Sequence, residues 1–309
     1  MMEPAEAPEP RPDDGQDAAA PDGPPASPTL AARLADLGPR VGSSTILVAV
    51  AILSLRVGGV VFVLAWLAAA LVVHFEWQRI IGGARQATRL AIGSAALVTA
   101  AILVSTVSGN LAALTIGIGA LAAAKATDHG RRGWAAGGVL YAGSLIISVV
   151  TLRMSFPFGP RAIAWLFAVV WGTDVVAYFA GRLIGGPKFL PQISPSKTWA
   201  GTALGVVGGA LIGSLFLALA ARLTRLDTPA PSFAPFLLGL ATAAVAQGGD
   251  LFESWMKRRF GAKDSSNFIP GHGGLMDRLD GFIAAAVWAA VLGALRGFPS
   301  TAEGLFHWM

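Results

Sequence analysis

An uncharged apolar stretch of 35 residues, 90–124, places the tightest limit on what this chain can fold into. As one helix it would be roughly 50 Å long at 1.5 Å per residue, well over the ~30 Å hydrocarbon core of a bilayer. Ser108-Gly109-Asn110 lies inside the stretch and supplies turn chemistry. We therefore expect two membrane spans here, and likewise a hairpin of two spans in residues 41–73, where only Arg56 interrupts the apolar run.

Five further apolar runs give nine candidate spans in all. They cover residues 134–152, 162–181, 201–221, 233–247 and 281–295. The chain is 54% hydrophobic and only 13% charged, whereas about a quarter of the residues in a soluble domain are charged. A chain this apolar could not cover two soluble domains with a solvated surface, so that class of protein is excluded.

The first forty residues have a different composition from the rest. Residues 1–43 hold eight acidic residues against three arginines, and nine of the nineteen prolines fall within residues 1–40. Such a segment cannot bury enough apolar surface to order itself, and it lacks the pattern of a signal peptide. We expect a disordered acidic tail over residues 1–40, about five N-terminal transmembrane helices over 41–160 and a C-terminal transmembrane region over 161–309.

Basic residues predict how the spans are oriented, because cytoplasmic loops carry an excess of Lys and Arg. With nine spans, 17 of the 23 basic residues fall on the side of the N-terminus and 6 on the other. The N-terminus is therefore expected in the cytoplasm and the C-terminus outside. The predicted fold is an all-α polytopic protein of the cell membrane, with about nine transmembrane helices and a polar site facing the cytoplasm.

The few polar residues of the spans and joints are candidates for function, and they gather in two segments. The first runs from Asp174 to Trp199, and the second from Asp250 to Asp280. If the helix after Phe233 continues beyond the membrane, Asp250, Ser254 and Lys257 share one face. Asp277 and Asp280 would likewise face one way at the start of the last helix.

Carboxylates beside many basic residues are typical of a magnesium–phosphate site, in which acids hold the hard cation and bases take the phosphate oxygens. The chain has no cysteine, which excludes thiolate metal centres, and its four scattered histidines argue against a multi-histidine centre. The glycine-rich segment 270–274 can form a turn whose N–H groups point at an anion.

Each feature also has a structural interpretation. Lys257-Arg258-Arg259 could serve simply as an anchor at anionic lipid heads. Asp250 could form a structural ion pair with one of these bases, and Asp174 could form one with Arg182. Small residues recur every fourth position along one predicted helix, at Gly201, Gly205, Gly209 and Gly213. That glycine face favours close packing inside the molecule, with a homodimer contact as the alternative.

The second segment resembles the signature of phosphatidate cytidylyltransferases, also called CDP-diacylglycerol synthases. The matching residues are Ser254-x-x-Lys257-Arg258, Lys263-Asp264, Ser266 and Ile269-Pro270-x-His272-Gly273-Gly274-Leu275-x-Asp277-Arg278-Leu279-Asp280. Asp174-x-x-Ala177-Tyr178-Phe179-x-Gly181-Arg182 and Ser194-Pro195-x-Lys197-Thr198-Trp199 are similar to other recurrent stretches of that family. The resemblance covers about residues 160–295 strongly. Ala200 departs from it, since many relatives have Glu there.

The resemblance implies that CTP and phosphatidic acid give CDP-diacylglycerol and pyrophosphate, with Mg²⁺ required and a second metal or a monovalent cation left open. CTP, phosphatidic acid and membrane lipids are the expected partners, and no nucleic acid is expected. The expected metal ligands are Asp174, Asp250, Asp277 and Asp280. The expected catalytic residues are Lys257, Arg258, Lys263, Asp264, His272 and Arg278. The expected substrate-binding residues are Tyr178, Arg182, Ser194, Lys197, Thr198, Ser254, Gly273 and Gly274.

Two alternatives stay open at this point. A CTP-dependent polyprenol or phytol kinase of the same superfamily would transfer the γ-phosphoryl group instead of the nucleotidyl group. A transporter is the other class, suggested only by the number of spans and by Asp174 inside one of them. No inverted repeat is evident in the sequence to support a transporter.

Overall fold

The computed structural model describes residues 30–224, 233–269 and 273–307, and it is almost entirely helical. The long helices are α1 (Leu30–Val57), α2 (Gly59–Ile81), α3 (Gln86–Thr106), α4 (Gly109–Lys125), α5 (Arg132–Met154), α6 (Gly159–Leu183), α7 (Trp199–Thr224), α8 (Ala234–Arg259) and α9 (Met276–Leu295), followed by the short α10 (Thr301–Phe306). A 3₁₀ turn covers His129–Arg131, and strands β1 (Lys188–Leu190) and β2 (Ser194–Thr198) form an antiparallel hairpin between α6 and α7. The predicted all-α membrane fold is confirmed, with this small hairpin as an addition.

Each of the nine predicted spans corresponds to a helix, but the apolar segments of two of these helices are shorter than a full span. Seven helices in the described part of the chain are long and apolar enough to cross a membrane. The first and fourth predicted spans are shorter apolar helices, Gly42–Val57 within α1 and Gly109–Lys125. The count of nine full spans is therefore not confirmed. The predicted tail lies outside the described residues as far as residue 29, and α1 begins at Leu30.

The chain breaks between two helices at both places where a turn was predicted. Gly58, with φ of 69°, separates α1 from α2, a conformation that glycine adopts without a steric penalty. The reversal thus lies two residues beyond Arg56. Ser108 is the N-cap of α4, and its hydroxyl accepts a hydrogen bond from the Asn110 amide at 3.2 Å. The Ser-Gly-Asn turn therefore divides the 35-residue stretch as expected.

The glycine face of α7 packs inside the molecule. A Cβ added at Gly205 would lie 2.9 Å from the Thr173 carbonyl oxygen, and one at Gly209 would lie 2.8 Å from that of Val169. Both carbonyls belong to α6, so the two helices approach until backbone meets backbone. Intramolecular packing is confirmed, and this face is not available as a dimer contact.

Alanine at Gly209 is therefore expected to lower the free energy of unfolding by about 1–3 kcal/mol, because backbone atoms cannot yield to the added methyl group. Gly117→Ala is the matched control, since a Cβ there has no atom within 4 Å and alanine favours a helix. Thermal unfolding in detergent would measure both variants. Equal melting temperatures for Gly209→Ala and wild type would contradict this account of the α6–α7 contact.

Aromatic packing joins the helices that carry the polar residues. Trp66 of α2 stacks on Phe282 of α9 with ring centroids 5.1 Å apart, and Phe167 of α6 lies 5.2 Å from the same ring. Trp77 of α2 lies 6.1 Å from Phe252 of α8 and donates its indole N–H to the Trp134 carbonyl at 2.8 Å. These ring contacts connect α2 to α6, α8 and α9.

Candidate active site

Helix α8 continues to Arg259 and carries the predicted polar face. Asp250, Ser254 and Lys257 lie on it, and the Ser254 hydroxyl donates to Asp250 Oδ1 at 3.4 Å. Lys257 is held by two carboxylates: its Nζ lies 2.7 Å from Glu253 Oε2 and also pairs with Asp277 Oδ1. The side chain of Lys257 is only 12% exposed, so this ion pair is shielded from water and stronger than a surface pair.

Asp277, at the first turn of α9, organises the loop between α8 and α9. Its Oδ2 accepts hydrogen bonds from the Ser265 amide at 2.9 Å and the Gly274 amide at 2.8 Å. These amides come from the two sides of the loop, which is also closed by an Ile269 N–H bond to the Gly273 carbonyl at 2.8 Å. Gly273 has φ of 80°, a conformation that favours glycine. We call the described residues 264–269 and 273–275 the signature loop.

The β1–β2 hairpin reaches the same site from α6 and α7. Lys197 Nζ lies 2.5 Å from Asp250 Oδ2 and donates to Gln247 Oε1 at 2.7 Å. The buried Thr198 hydroxyl accepts from the Gly201 amide at 3.1 Å at the start of α7. The two segments that the sequence singled out are therefore joined by a direct ion pair.

Two cavities meet at Asp174 and Asp250, which line both. The larger, about 750 Å³, is lined both by charged residues, among them Lys257, Arg278 and Asp280, and by apolar residues. Its apolar wall comes from α1, α2 and α6 and includes Leu47, Val48, Ala51, Ala65, Trp66, Val72, Phe167 and Trp171. The smaller, about 370 Å³, lies between the hairpin, α6, α7 and α8.

Most of the predicted site residues line one of these cavities. The larger is lined by Asp174, Asp250, Ser254, Lys257, Asp277, Arg278 and Asp280, and the smaller by Asp174, Tyr178, Arg182, Lys197, Thr198 and Asp250. Gly273 and Gly274 shape the signature loop instead. Ser194, Arg258, Lys263 and Asp264 are not among the lining residues, and the last three are exposed. His272 lies outside the described residues.

The structural alternatives for Asp174 and Asp250 can now be compared with the contacts. Arg182 Nη1 donates to the Tyr178 hydroxyl at 3.1 Å rather than pairing with Asp174. Asp250 does pair with a base, but with Lys197 of the hairpin and not with Lys257-Arg258-Arg259. Asp174 is exposed toward the shared part of the cavities.

Glu76 and Gln247 belong to this site although the sequence pattern did not single them out. Glu76 of α2 is fully buried, and its carboxylate accepts hydrogen bonds from the signature loop and the start of α9: from the Ser266 hydroxyl at 2.5 Å and the Met276 amide at 2.7 Å. Gln247 ends a predicted span and accepts from Lys197. The available signal for Glu76 was an acid in a mostly apolar helix. Gln247 had no signal of comparable strength.

Among the described residues, no group of three or more acidic or histidine side chains is arranged to hold a metal ion by itself. Mg²⁺ commonly takes only one or two protein carboxylates and completes its shell with substrate phosphates and water. Asp174, Asp250 and Asp280 line one cavity and offer hard oxygen ligands. Their chemistry fits an ion that arrives together with a phosphate-bearing substrate.

A bundle of apolar helices with carboxylates, lysines and arginines gathered in cavities at one end is the architecture of a multi-pass membrane enzyme. The sequence profile of the cytidylyltransferase family matches residues 39–295, and the chain belongs to this family. It is therefore a nucleotidyltransferase, as its motifs predicted.

Similar proteins named phosphatidate cytidylyltransferase match over most of the chain or over nearly half of it. The phosphatidate cytidylyltransferase of Brucella abortus biovar 1 (strain 9-941) is 39% identical over 280 residues, covering 88% of this chain and 99% of its own. The phosphatidate cytidylyltransferase of Bacillus subtilis (strain 168) is 36% identical over 144 residues, 47% of this chain and 51% of its own. That of Helicobacter pylori (strain ATCC 700392 / 26695) is 41% identical over 130 residues, 42% of this chain and 46% of its own.

Proposed function

We propose that this protein is a phosphatidate cytidylyltransferase that makes CDP-diacylglycerol and pyrophosphate from CTP and phosphatidic acid. The observation that carries the proposal is the larger cavity, which joins an apolar wall to a cluster of acids and bases. A phospholipid has the same two parts, acyl chains and a phosphate. The names of the similar proteins give independent support.

The two cavities suggest where the substrates bind. In the proposal, the acyl chains of phosphatidic acid lie against α1 and α2, and its phosphate lies near Lys257 and Arg278. The nucleotide occupies the smaller cavity, where Lys197 and Arg182 supply positive charge and Tyr178 supplies a ring for the base. The reacting groups then meet at the shared boundary beside Asp174 and Asp250.

In the reaction, a phosphate oxygen of phosphatidic acid attacks the α-phosphorus of CTP, the bond to the β-phosphate breaks, and pyrophosphate leaves. The lipid phosphate is already a competent nucleophile, so no base is required to create one. The main barrier is bringing two polyanions together in line, and bases fixed in a low-dielectric cavity lower it by neutralising and orienting the phosphates. Lys257 is pre-positioned for this by Glu253 and Asp277.

We further propose that Mg²⁺ binds with the nucleotide. Asp174, Asp250 and Asp280 would hold it. Asp277 accepts from two loop amides and pairs with Lys257, whereas Asp250 pairs with Lys197 and makes a long contact with Ser254. A direct ligand role for Asp277 stays a prediction. The ion would act as a Lewis acid that withdraws charge from the phosphate oxygens. The excess of basic residues on this side supports its facing the cytoplasm, where CTP and Mg²⁺ are found.

The purified protein incubated with Mg²⁺, phosphatidic acid and CTP labelled on either the α- or the γ-phosphorus tests this function. We expect α-label in a lipid product and γ-label in released pyrophosphate. γ-Label in the lipid, with a polyprenol or phytol acceptor, would instead favour the kinase alternative. Absence of any lipid product from phosphatidic acid would contradict the proposal.

A further inference from the structure

A carboxylate from the N-terminal half of the chain is buried inside the signature loop. Glu76 of α2 has no solvent exposure. Its Oε1 accepts from the Ser266 hydroxyl at 2.5 Å and the Leu275 amide at 3.0 Å, and its Oε2 accepts from the Met276 amide at 2.7 Å. The partners of Glu76 are about 200 residues away in sequence.

These contacts give α9 a cap that its own sequence lacks. The first N–H groups of a helix have no partner within the helix, and a negative charge there is favourable. Leu275 is the N-cap of α9 and provides no side-chain hydrogen bond. Glu76 instead accepts from the amides of Leu275 and Met276, so a residue of α2 fixes where α9 begins.

The same carboxylate is linked to the charged residues of the site through a serine. The Ser265 hydroxyl lies 3.1 Å from Glu76 Oε2 and 3.0 Å from Asp277 Oδ2. Its single hydrogen can be donated to only one of them at a time. Asp277 in turn pairs with Lys257, so a continuous chain of contacts connects α2 to Lys257.

The fit around Glu76 is tight as well as polar. A Cβ added at Gly274 would lie 2.5 Å from Glu76 Oε1, so the loop backbone comes directly against the carboxylate. A buried carboxylate is costly unless its oxygens are hydrogen-bonded, and here the loop supplies the donors. The buried carboxylate is therefore stabilised by the loop donors, and the loop conformation is stabilised by the carboxylate.

We propose that Glu76 is a positioning residue, which holds the signature loop and the start of α9 in the geometry that aligns Asp277 and Lys257. It does so from a helix outside the signature, through contacts with the loop and not with substrate. The expected effect on kcat rests on the proposed function. The expected effect on the order of the loop can be measured without any enzymatic activity.

Glu76→Gln is the principal variant, because glutamine has nearly the same shape as glutamate. It replaces one acceptor oxygen by an N–H₂ donor, which cannot accept the hydrogen bonds of the loop amides and hydroxyls. Gln78→Ala is the matched control, since Gln78 is also fully buried on α2 but contacts Arg89 and the Ala135 carbonyl instead of the loop. Hydrogen exchange of the full-length protein, followed by mass spectrometry of peptides from 264–276, is expected to be about tenfold faster in Glu76→Gln and unchanged in Gln78→Ala.

Measuring kcat and the KM for CTP separately distinguishes a positioning role from a general loss of stability. At a temperature where all variants are folded, we expect Glu76→Gln to lower kcat about tenfold, as loss of a supporting partner commonly does. The KM for CTP should stay near the wild-type value, because none of the described loop residues lines the smaller cavity. Glu76→Asp, which keeps the charge, should recover part of kcat.

The outcomes separate the inference from the proposed function. If wild type makes no CDP-diacylglycerol, the function fails while the exchange experiment still tests Glu76. Wild-type exchange in the loop of Glu76→Gln would overturn the inference, as would a kcat loss in Gln78→Ala equal to that in Glu76→Gln. Should Glu76→Gln fail to fold, Ser266→Ala removes one donor to the carboxylate and should also speed exchange in the loop; wild-type exchange there would overturn the inference.

Discussion

Asp277→Asn is expected to reduce CDP-diacylglycerol formation by about 100-fold or more. Breaking one partner of a buried ion pair costs about 3–5 kcal/mol, and each 1.4 kcal/mol is a factor of ten in rate when it falls on the transition state. The asparagine would also turn an amide N–H₂ toward Lys257 or toward the amides of Ser265 and Gly274, which are all donors. Steady-state turnover in detergent–lipid micelles would measure the loss.

Asp128→Asn is the matched control for this variant. Asp128 is an exposed acid at the joint between α4 and α5, paired with Arg131 at 3.7 Å, and exposed pairs of this kind contribute little. Its turnover should equal that of wild type, and both variants should insert into the membrane in normal amounts. Near-wild-type turnover of Asp277→Asn would show that the loop does not need this carboxylate.

Asp250→Asn is expected to lower kcat/KM by about 100-fold and to raise the Mg²⁺ concentration needed for half-maximal activity. Asp250 lines both cavities and is a proposed ligand of the ion, so the lost charge weakens metal binding and leaves the reacting phosphates less well neutralised. A Mg²⁺ titration of the initial rate, at saturating CTP and phosphatidic acid, would measure the shift.

Lys197→Met distinguishes two roles of Asp250, as a metal ligand and as the ion-pair partner of the hairpin. This variant removes the partner of Asp250 in the ion pair of 2.5 Å but leaves the carboxylate in place. It should weaken CTP binding without raising the Mg²⁺ requirement. If Asp250→Asn and Lys197→Met changed only turnover, and by similar factors, Asp250 would act through the hairpin and not as a metal ligand.

The helices could be predicted from the sequence because the hydrocarbon core imposes a simple rule. A span must be apolar over about twenty residues, and turn residues must interrupt longer runs, as Ser108-Gly109-Asn110 does. The shared face of Asp250, Ser254 and Lys257 followed from helical periodicity on the condition that the helix continues past the membrane, and α8 does continue to Arg259. The hairpin of β1 and β2 was missed, since its strands are short and lie between two predicted helices.

The sequence by itself determined the membrane fold, the family and the two segments that form the site. Only the tertiary structure decided that Lys197 pairs with Asp250, that Lys257 lies between Glu253 and Asp277, and that Glu76 caps α9. The physical reason is that periodicity and turn chemistry act over a few residues, whereas these contacts join helices distant in sequence. Which polar groups meet in a nearly apolar bundle depends on how the helices pack.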